Sequence, residues 1–353
     1  MNRLTCKLEG EPLVSRAGKG GLCKAGSRRK ASVLILALWV VFFLAALSVA
    51  IGSHVSSVFS AAERLSARVR ARAAASAGAA QTAAVIMANE TNGWDGVAEK
   101  AWNRDETLFG EIPLADGGLF SVVFTMPDAE GSVVTNIGVI GEEGKINLNS
   151  APINLLTALF VTVGGLGDAD ALALALAVDV WRTGSDEPLT ANTKSGYSPQ
   201  TMDNIEALLQ IEEVSAALFT RLSPFITVYG SGLVNINAAE PRVLKALATA
   251  DAPAGSGVVV DSLVQKLVGF REAGLAFEKA ASFADMESAL EQFPPLTGDE
   301  KNVFKKMVGK ATVKSTAFGG TAYGGTPSAG EAAVQVDFVW DRQARRFVMW
   351  RER

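Results

Sequence analysis

The feature that most constrains the 353-residue sequence is an uncharged apolar stretch, ASVLILALWVVFFLAALSVAI, which runs from Ala31 to Ile51. As an α-helix of about 1.5 Å per residue it would be roughly 31 Å long, which matches the hydrocarbon core of a bilayer. Basic residues precede the stretch directly, whereas the next charged residue after it is Glu63. Because positive charges favour the cytoplasmic side, the sequence predicts a single-pass protein with a cytoplasmic N-terminus and an exported remainder.

Charges and cysteines are distributed unevenly around this stretch. Residues 1–30 carry eight basic and two acidic side chains, whereas the residues after them carry 25 basic and 35 acidic ones. An acidic exported part argues against a nucleic-acid partner, which would need a basic face. Both cysteines, Cys6 and Cys23, precede the apolar stretch, so the exported part has no thiolate for a disulfide, a metal site or a nucleophile. The single histidine, His54, leaves the head without a His–carboxylate zinc site.

The helix is predicted to continue beyond the apolar stretch. From Ser32 to Ala88 the chain has no proline and much alanine, which favours one long helix. Apolar residues recur at steps of three and four, so a globular domain can cover one face. These residues are Val55, Val58, Phe59, Ala62, Leu65, Val69 and Ala73. A signal peptide cut after residue 50 and an ordinary anchor with a helical stalk are the alternatives.

The exported part begins and ends with segments that have the pattern of β-strands. Residues 120–125 and 132–137 are β-branched and aromatic runs around a turn, which predicts a hairpin. Residues 333–340 alternate apolar and polar side chains, and a turn at 341–345 connects them to 346–350 in a second hairpin. The glycine-rich segment 318–330 is predicted to be a flexible loop. We expect the early and late strands to form one sheet that packs on the long helix.

An internal repeat separates the two groups of strands. Residues 147–159, NLNSAPINLLTAL, match residues 235–247, NINAAEPRVLKAL, at an offset of 88. In both copies a proline follows in the first turn of a helix, where an amide hydrogen has no intrahelical partner. The repeat predicts two related helical lobes, each entered and left by a short extended segment. The pairs Glu142–Glu143 and Glu212–Glu213 are predicted to be solvated.

With these pieces assembled, the sequence resembles the minor pseudopilin K family of bacterial type II secretion systems. Residues 144–152, GKINLNSAP, are similar to the family's GKINLNTAP, and residues 222–228 with 234–239 are similar to its second signature. The ending FVMWRE at 347–352 resembles the family's closing strand. The resemblance implies an α+β fold in which a long pilin-like helix packs on an antiparallel sheet. It also implies a large duplicated all-helical domain inserted between the strands.

The residue patterns and the resemblance together predict the following division of the chain. A prepilin-type leader covers 1–31, and the long helix covers 32–92, with a transmembrane part at 32–51 and an amphipathic stem at 52–92. The pilin-like β part covers 93–149, the helical lobes cover 150–230 and 231–312, and the C-terminal strands cover 313–353.

The resemblance implies processing and assembly residues near the N-terminus. Prepilin peptidase is expected to cut between Ala31 and Ser32, which leaves the apolar helix on the mature protein. Leu36 then stands at the fifth mature position, where most pseudopilins carry glutamate and the K component is the exception. The family usually has glycine before the cut, whereas this chain has Ala31.

The family also implies a calcium site. Asp179, Asp186 and Glu187 lie in a shortened counterpart of its acidic loop, and their hard carboxylate oxygens suit calcium. A solvated turn is the alternative. No catalytic residue and no other cofactor are predicted, so the protein is expected not to be an enzyme.

The resemblance implies a tip subunit of a short periplasmic pseudopilus, which the protein helps to initiate for protein export across the outer membrane. The implied partners are the I, J and H minor pseudopilins, the major pseudopilin, prepilin peptidase and the lipid of the inner membrane. A minor pilin of a type IV pilus-like system and a membrane-anchored periplasmic binding module are the alternatives.

Overall fold

The computed structural model describes residues 28–91, 94–96, 101–127, 132–184, 201–278, 282–290, 293–325 and 334–353, with side chains from residue 33 onwards. The chain divides into two compact units, residues 1–63 and residues 64–353. A helix of 61 residues, α1 at Arg28–Ala88, belongs to both units. The predicted long helix is confirmed, and its high alanine content explains why it continues without a break.

The remaining secondary structure lies in the unit 64–353. The helices are α2 Glu106–Phe109, α3 Ile153–Thr162, α4 Asp168–Thr183, α5 Ala216–Leu222, α6 Pro241–Thr249, α7 Gly257–Glu272, α8 Phe283–Leu290 and α9 Gly298–Val308. The strands are β1 Ile112–Pro113, β2 Leu119–Pro127, β3 Val133–Ile137, β4 Ile140–Gly141, β5 Ile146–Asn147, β6 Ile226–Thr227, β7 Val234–Asn235, β8 Ala311–Thr312, β9 Ala317–Gly325, β10 Val334–Asp341 and β11 Arg346–Glu352.

Within the described residues, seven of these strands form one antiparallel sheet. Its order is β1-β2-β9-β10-β11, with β3 beside β2 and β4 beside β9. Both predicted hairpins are confirmed, since β2 pairs with β3 and β10 pairs with β11. Strands from before and after the helical region therefore meet in one sheet, and the helices α3–α9 form an insertion between them.

The glycine-rich segment forms the middle strand of this sheet rather than a loop. Strand β9 pairs with β2, β4 and β10, so the prediction of a flexible loop is wrong for residues 318–325, and residues 326–330 lie outside the described part of the chain. A side chain at Gly324 would collide with the carbonyl oxygen of Ala71 and the amide nitrogen of Ala75. Glycine is needed here because the backbone of α1 rests directly on the strand.

Small side chains on α1 make this close packing possible. Ala71, Ala74, Ala75 and Ala79 are completely buried in one core with sheet residues such as Phe318. The covered face begins at Ala71, however, and the apolar stripe predicted upstream of it remains exposed. Its large members are Val55, Val58, Phe59, Leu65 and Val69. The sheet thus covers the last third of the helix and leaves the predicted stripe free.

Two short parallel strand pairs frame the helical insertion. Strand β5 pairs with β6, and strand β7 pairs with β8. Each half of the insertion therefore starts and finishes at adjacent positions, as the repeat predicts. The boundaries of the two lobes stay a prediction, because the described helices of both halves pack into one shared hydrophobic core.

The repeated asparagines make the same hydrogen bonds in both halves. Asn149 exchanges two bonds with the backbone of Met202, at 2.8 and 3.0 Å. Asn237 exchanges two bonds with the backbone of Phe277, at 2.9 and 2.8 Å. The Asn-apolar-Asn motif is therefore a structural clamp on a chain segment that arrives from later in each half.

A repeated arginine completes each clamp. The Nη1 atom of Arg182 donates to the carbonyl oxygens of Leu148 and Ala151, at 3.2 and 2.7 Å. The Nη1 atom of Arg271 donates to the carbonyl oxygens 88 residues later, those of Ile236 and Ala239, at 3.3 and 2.6 Å. The duplication therefore extends from the sequence motif to its hydrogen-bond partners.

Candidate functional site

The unit 1–63 presents an apolar helical surface. Large apolar side chains from Val33 to Phe59 are 45% to 72% exposed on every side of α1. Among the described residues, α1 is the helix long and apolar enough to cross a membrane by length and composition, with a mean hydropathy of 2.9 in its most apolar window. A helix that is apolar on all sides is suited to contact with lipid or to packing among other helices.

The residues predicted for processing and assembly lie on this helix. Leu36 is 67% exposed on the apolar surface. Ala31 and Ser32 fall within α1, but their side chains are not among those described. The cleavage between them and the role of Leu36 in assembly stay predictions.

Of the three predicted calcium ligands, the structure describes Asp179, and the calcium site stays a prediction. The Oδ1 atom of Asp179 accepts hydrogen bonds from Nε and Nη2 of Arg182, at 3.0 and 2.7 Å. Asp186 and Glu187 lie outside the described residues. In the part of the chain that the structure describes, no group of three or more His, Cys, Asp or Glu side chains could hold a metal ion.

A buried ion pair, which sequence reasoning missed, lies where the segment after α1 meets the sheet. The Asp95 carboxylate accepts from Nη1 and Nη2 of Arg342, at 2.9 and 3.1 Å. Both residues are buried, with 2% and 6% of their surfaces exposed. Charged side chains are seldom buried unless they are paired, and a bidentate guanidinium–carboxylate contact satisfies most of both groups.

Asp95 also connects this junction to the second half of the insertion. Its carboxylate accepts from the amide of Ser315 at 2.9 Å, and its own amide donates to the carbonyl oxygen of Val313 at 2.8 Å. The side chain of Asn235, the first asparagine of the second repeat, donates to the carbonyl oxygen of Asp95 at 3.0 Å. The segment after α1, the insertion and the last hairpin are thereby tied at one residue.

Glu142 and Glu143 form a second part of the junction, and the prediction that they are solvated is wrong. Glu143 is 1% exposed. Its carboxylate accepts from the amides of Ser231, Thr316 and Ala317, at 3.0, 2.8 and 3.3 Å, and from the hydroxyl of Thr316. Burial raises the pKa of Glu143 above its ordinary value, and these hydrogen bonds only partly oppose that effect.

Glu142 is held by a different set of donors. Its carboxylate accepts from the Lys145 ammonium at 2.9 Å and from the Thr227 hydroxyl at 2.6 Å. Thr227 is 85 residues away in sequence, so the local sequence could not reveal this contact. The other acidic pair, Glu212–Glu213, is exposed, and that prediction is confirmed.

The junction is a network of buried polar groups in which the carboxylates are satisfied, while Nε of Arg342 has no hydrogen-bond partner among the described residues. Each of its carboxylates accepts bonds from donors in distant parts of the chain, and the pattern fixes three segments relative to one another. The arrangement is suited to holding the insertion rigidly on the sheet.

These elements define a pilin-like α+β protein: a long apolar N-terminal helix, an antiparallel sheet on its C-terminal part, and a duplicated helical insertion between strands. Among solved structures, the fold matches a chain of the GspK–GspI–GspJ complex from the type 2 secretion system of enterotoxigenic Escherichia coli. The TM-score is 0.51 at 15% sequence identity, over 79% of this chain and 94% of that chain. The likeness shows a GspK-like pilin fold. The sequence matches no protein-family profile and no curated protein.

Proposed function

We propose that this protein is a minor pseudopilin of a type II secretion system. The observation that carries the proposal is the combination of an exposed apolar helix with a GspK-like head on the same chain. Such a helix can remain in the membrane or pack beside equivalent helices, while the head stays in water. The proposal gives the protein a structural role in secretion rather than a catalytic one.

Two features support a position at the tip of the pseudopilus. Leu36 carries no charge at the position where, by the family resemblance, other pseudopilins have a glutamate for the subunit above. The helical insertion also adds bulk to the head, and the buried junction at Asp95 and Glu143 holds that bulk in place. A subunit built in this way can start a pseudopilus, because it does not need to bind a further subunit above it.

We further propose the partners and the location that this role requires. The partners are the I, J and H minor pseudopilins and the major pseudopilin, with prepilin peptidase as the processing enzyme. The helix would lie in the inner membrane with the N-terminus in the cytoplasm, because the basic residues precede the apolar stretch. Calcium is a separate proposal that depends on Asp179, Asp186 and Glu187.

N-terminal sequencing of the protein isolated from bacterial membranes tests the proposal. A start at Ser32 is the expected result, because prepilin peptidase leaves the apolar helix on the mature chain. A start at Ile51 or an intact Met1 would contradict it.

Co-purification of the full chain from membranes is the second test. Sister pseudopilins should accompany it, and deletion of its gene should leave secreted proteins in the periplasm. Association with pilus-retraction components instead would favour the type IV pilin alternative, and a lack of any pilin-like partner would favour the binding module.

A further inference from the structure

A cluster of arginines follows the apolar stretch on its exported side. Residues 63–72 contain four arginines and one glutamate, whereas residues 73–353 contain 21 basic and 34 acidic side chains. Residues 52–62, between the apolar stretch and the cluster, carry no charge. The net positive charge of the exported part is therefore concentrated in the charged segment nearest to the apolar stretch.

The position of this cluster opposes the usual charge bias of membrane proteins. Lysine and arginine favour the cytoplasmic side, and this bias acts within about 15–20 residues of the ends of a membrane-spanning segment. Arg64, Arg68 and Arg70 follow Ile51 by 13, 17 and 19 residues. Arginines at positions that disfavour export of the chain indicate a role on the exported side.

Two of these arginines are unpaired in the described structure. Arg64 and Arg68 are exposed, lie four residues apart on one face of α1, and make no ion pair with any described residue. Arg72, the next arginine on that face, pairs with Glu352 at 2.8 Å. Arg64 and Arg68 are called the arginine pair below.

Helix geometry directs the arginine pair back towards the apolar stretch. Side chains of an α-helix lean towards its N-terminus, which is the end of α1 that carries that stretch. From Ile51 to Arg64 an α-helix advances about 20 Å. A headgroup layer takes up about 5–8 Å of this distance, and an extended arginine side chain covers about 6 Å more. The remaining gap of about 7 Å is within the Debye length of about 8 Å, so lipid phosphates attract the Arg64 guanidinium with little screening.

We propose that the arginine pair binds the phosphate groups of anionic phospholipids in the leaflet on the exported side. The charges are complementary, and a guanidinium matches a phosphate with two parallel hydrogen bonds. This contact would hold α1 at one depth in the bilayer. The inference goes beyond the proposed function, because it depends only on a helix that crosses a membrane.

Fluorescence quenching of the purified full chain in liposomes tests this inference. A bimane dye is attached at Ser66→Cys, between the two arginines, in a chain whose Cys6 and Cys23 are replaced by serine. Lipids with a nitroxide on the headgroup quench the dye when it lies close to them. The vesicles contain phosphatidylcholine alone or with about one third phosphatidylglycerol, and no other protein is present.

The anionic vesicles should quench the dye about twofold more strongly than the neutral ones, because their phosphates attract the arginine pair. Sodium chloride at about 0.5 M should remove this difference. Arg64→Gln with Arg68→Gln should lower the quenching in anionic vesicles to the level of neutral ones. Arg64→Lys with Arg68→Lys keeps both charges and should retain most of the extra quenching, which separates a loss of charge from a folding defect.

The matched control is Arg346→Gln, the same substitution at an exposed arginine of strand β11, which should leave the quenching unchanged. Sodium phosphate and sodium chloride at equal ionic strength should act alike. A stronger effect of phosphate would show a site for the free ion rather than for a lipid surface, and would overturn the inference.

Three other results would also overturn it. They are equal quenching of the wild type in the two kinds of vesicle, loss of the extra quenching in the lysine variant, and an effect of Arg346→Gln as large as that of the double glutamine variant. None of these results bears on the proposed function, which N-terminal sequencing and co-purification test separately.

Discussion

The Asp95 carboxylate and the Arg342 guanidinium face each other in a buried bidentate contact across 247 residues of sequence. Arg342 also lies over the ring of Phe318, 4.7 Å from its centroid, at the start of the middle strand. The contact therefore joins the segment that follows the long helix to two strands of the sheet, and its loss should affect the whole head.

Removal of one partner of this ion pair should be costly. Asp95→Ala leaves a buried guanidinium without its counter-charge, and we expect a loss of about 3–5 kcal/mol in the free energy of unfolding. Urea unfolding of the full chain in detergent, followed by tryptophan fluorescence, measures it. The double variant Asp95→Leu/Arg342→Met, which buries no charge, should recover most of the loss. A loss below about 1 kcal/mol for Asp95→Ala would contradict the assigned role.

The contact between α1 and the middle strand can be tested with two neighbouring glycines. Gly324→Ala places a methyl group into the backbone of α1, and we expect a loss of about 3 kcal/mol or a protein that does not fold. Gly325→Ala is the control, since the nearest atom to its new methyl group would be Leu119 Cδ1 at 4.0 Å. Equal unfolding midpoints for the two variants would show that the helix does not rest on β9.

Glu143 should make the stability of the head depend on pH. Because its pKa is raised above the ordinary 4.5 in the folded state, the folded protein holds this proton more tightly than the unfolded chain does. Its contribution to stability is therefore fully present below about pH 4.5 and is lost as the pH rises through the folded pKa.

The comparison of the wild type with Glu143→Gln isolates this effect. The wild-type unfolding midpoint in urea should fall relative to that of Glu143→Gln between pH 4 and pH 8. Glu212→Gln, at an exposed position, is the control and should follow the wild type. A constant difference between wild type and Glu143→Gln at all pH values would refute the prediction.

Glu300 should show the opposite pH dependence. Burial alone would raise its pKa, but hydrogen bonds from Lys266, Ser262 and Thr297 outweigh burial and lower the pKa to about 2. Its contribution is therefore present above the ordinary value of 4.5 and is lost as the pH falls from there towards 2. Glu300→Gln should cost about 2 kcal/mol at pH 7 and much less near pH 2, as measured by thermal unfolding. A cost that does not shrink in acid would show that the charge is unimportant.

A comparison of the two halves of the insertion predicts that a segment of the first half is not needed for folding. Arg182 and Met202 are 20 residues apart, whereas the equivalent residues Arg271 and Phe277 are six apart. Deletion of residues 186–199 gives the first half the spacing of the second, and the Asn149 clamp should still form. We expect the unfolding free energy to change by no more than about 1 kcal/mol, because the entropy of closing a chain connection depends only weakly on the number of residues in it.

The same deletion tests the calcium proposal, since it removes Asp186 and Glu187. Calcium chloride should raise the melting temperature of the wild type and leave that of the deletion variant unchanged. Equal responses of the two proteins would place any bound calcium elsewhere.

Local patterns were sufficient to predict the long helix, both hairpins and the repeat, because each depends on residues close in sequence. The predictions for Gly324 and for Glu143 were wrong for one reason. Each depends on residues that are distant in sequence. Gly324 is required in β9 because the backbone of Ala71 lies against it. The hydrogen-bond donors to Glu143 are Ser231 and Thr316, at separations of 88 and 173 residues. Neither Asp95 nor Arg342 gave a sequence signal for this contact, although Arg342 lies in the predicted turn at 341–345, since a buried ion pair has no local sequence pattern.

The paired strands at the edges of the insertion have a consequence for how such a head can change. Because β5 meets β6 and β7 meets β8, each half departs from and returns to nearly the same place. Since the two halves share one core, ancestral lineages could graft or exchange the insertion as one body while the underlying sheet kept its register. Heads of different bulk could arise in this way on one unchanged stem.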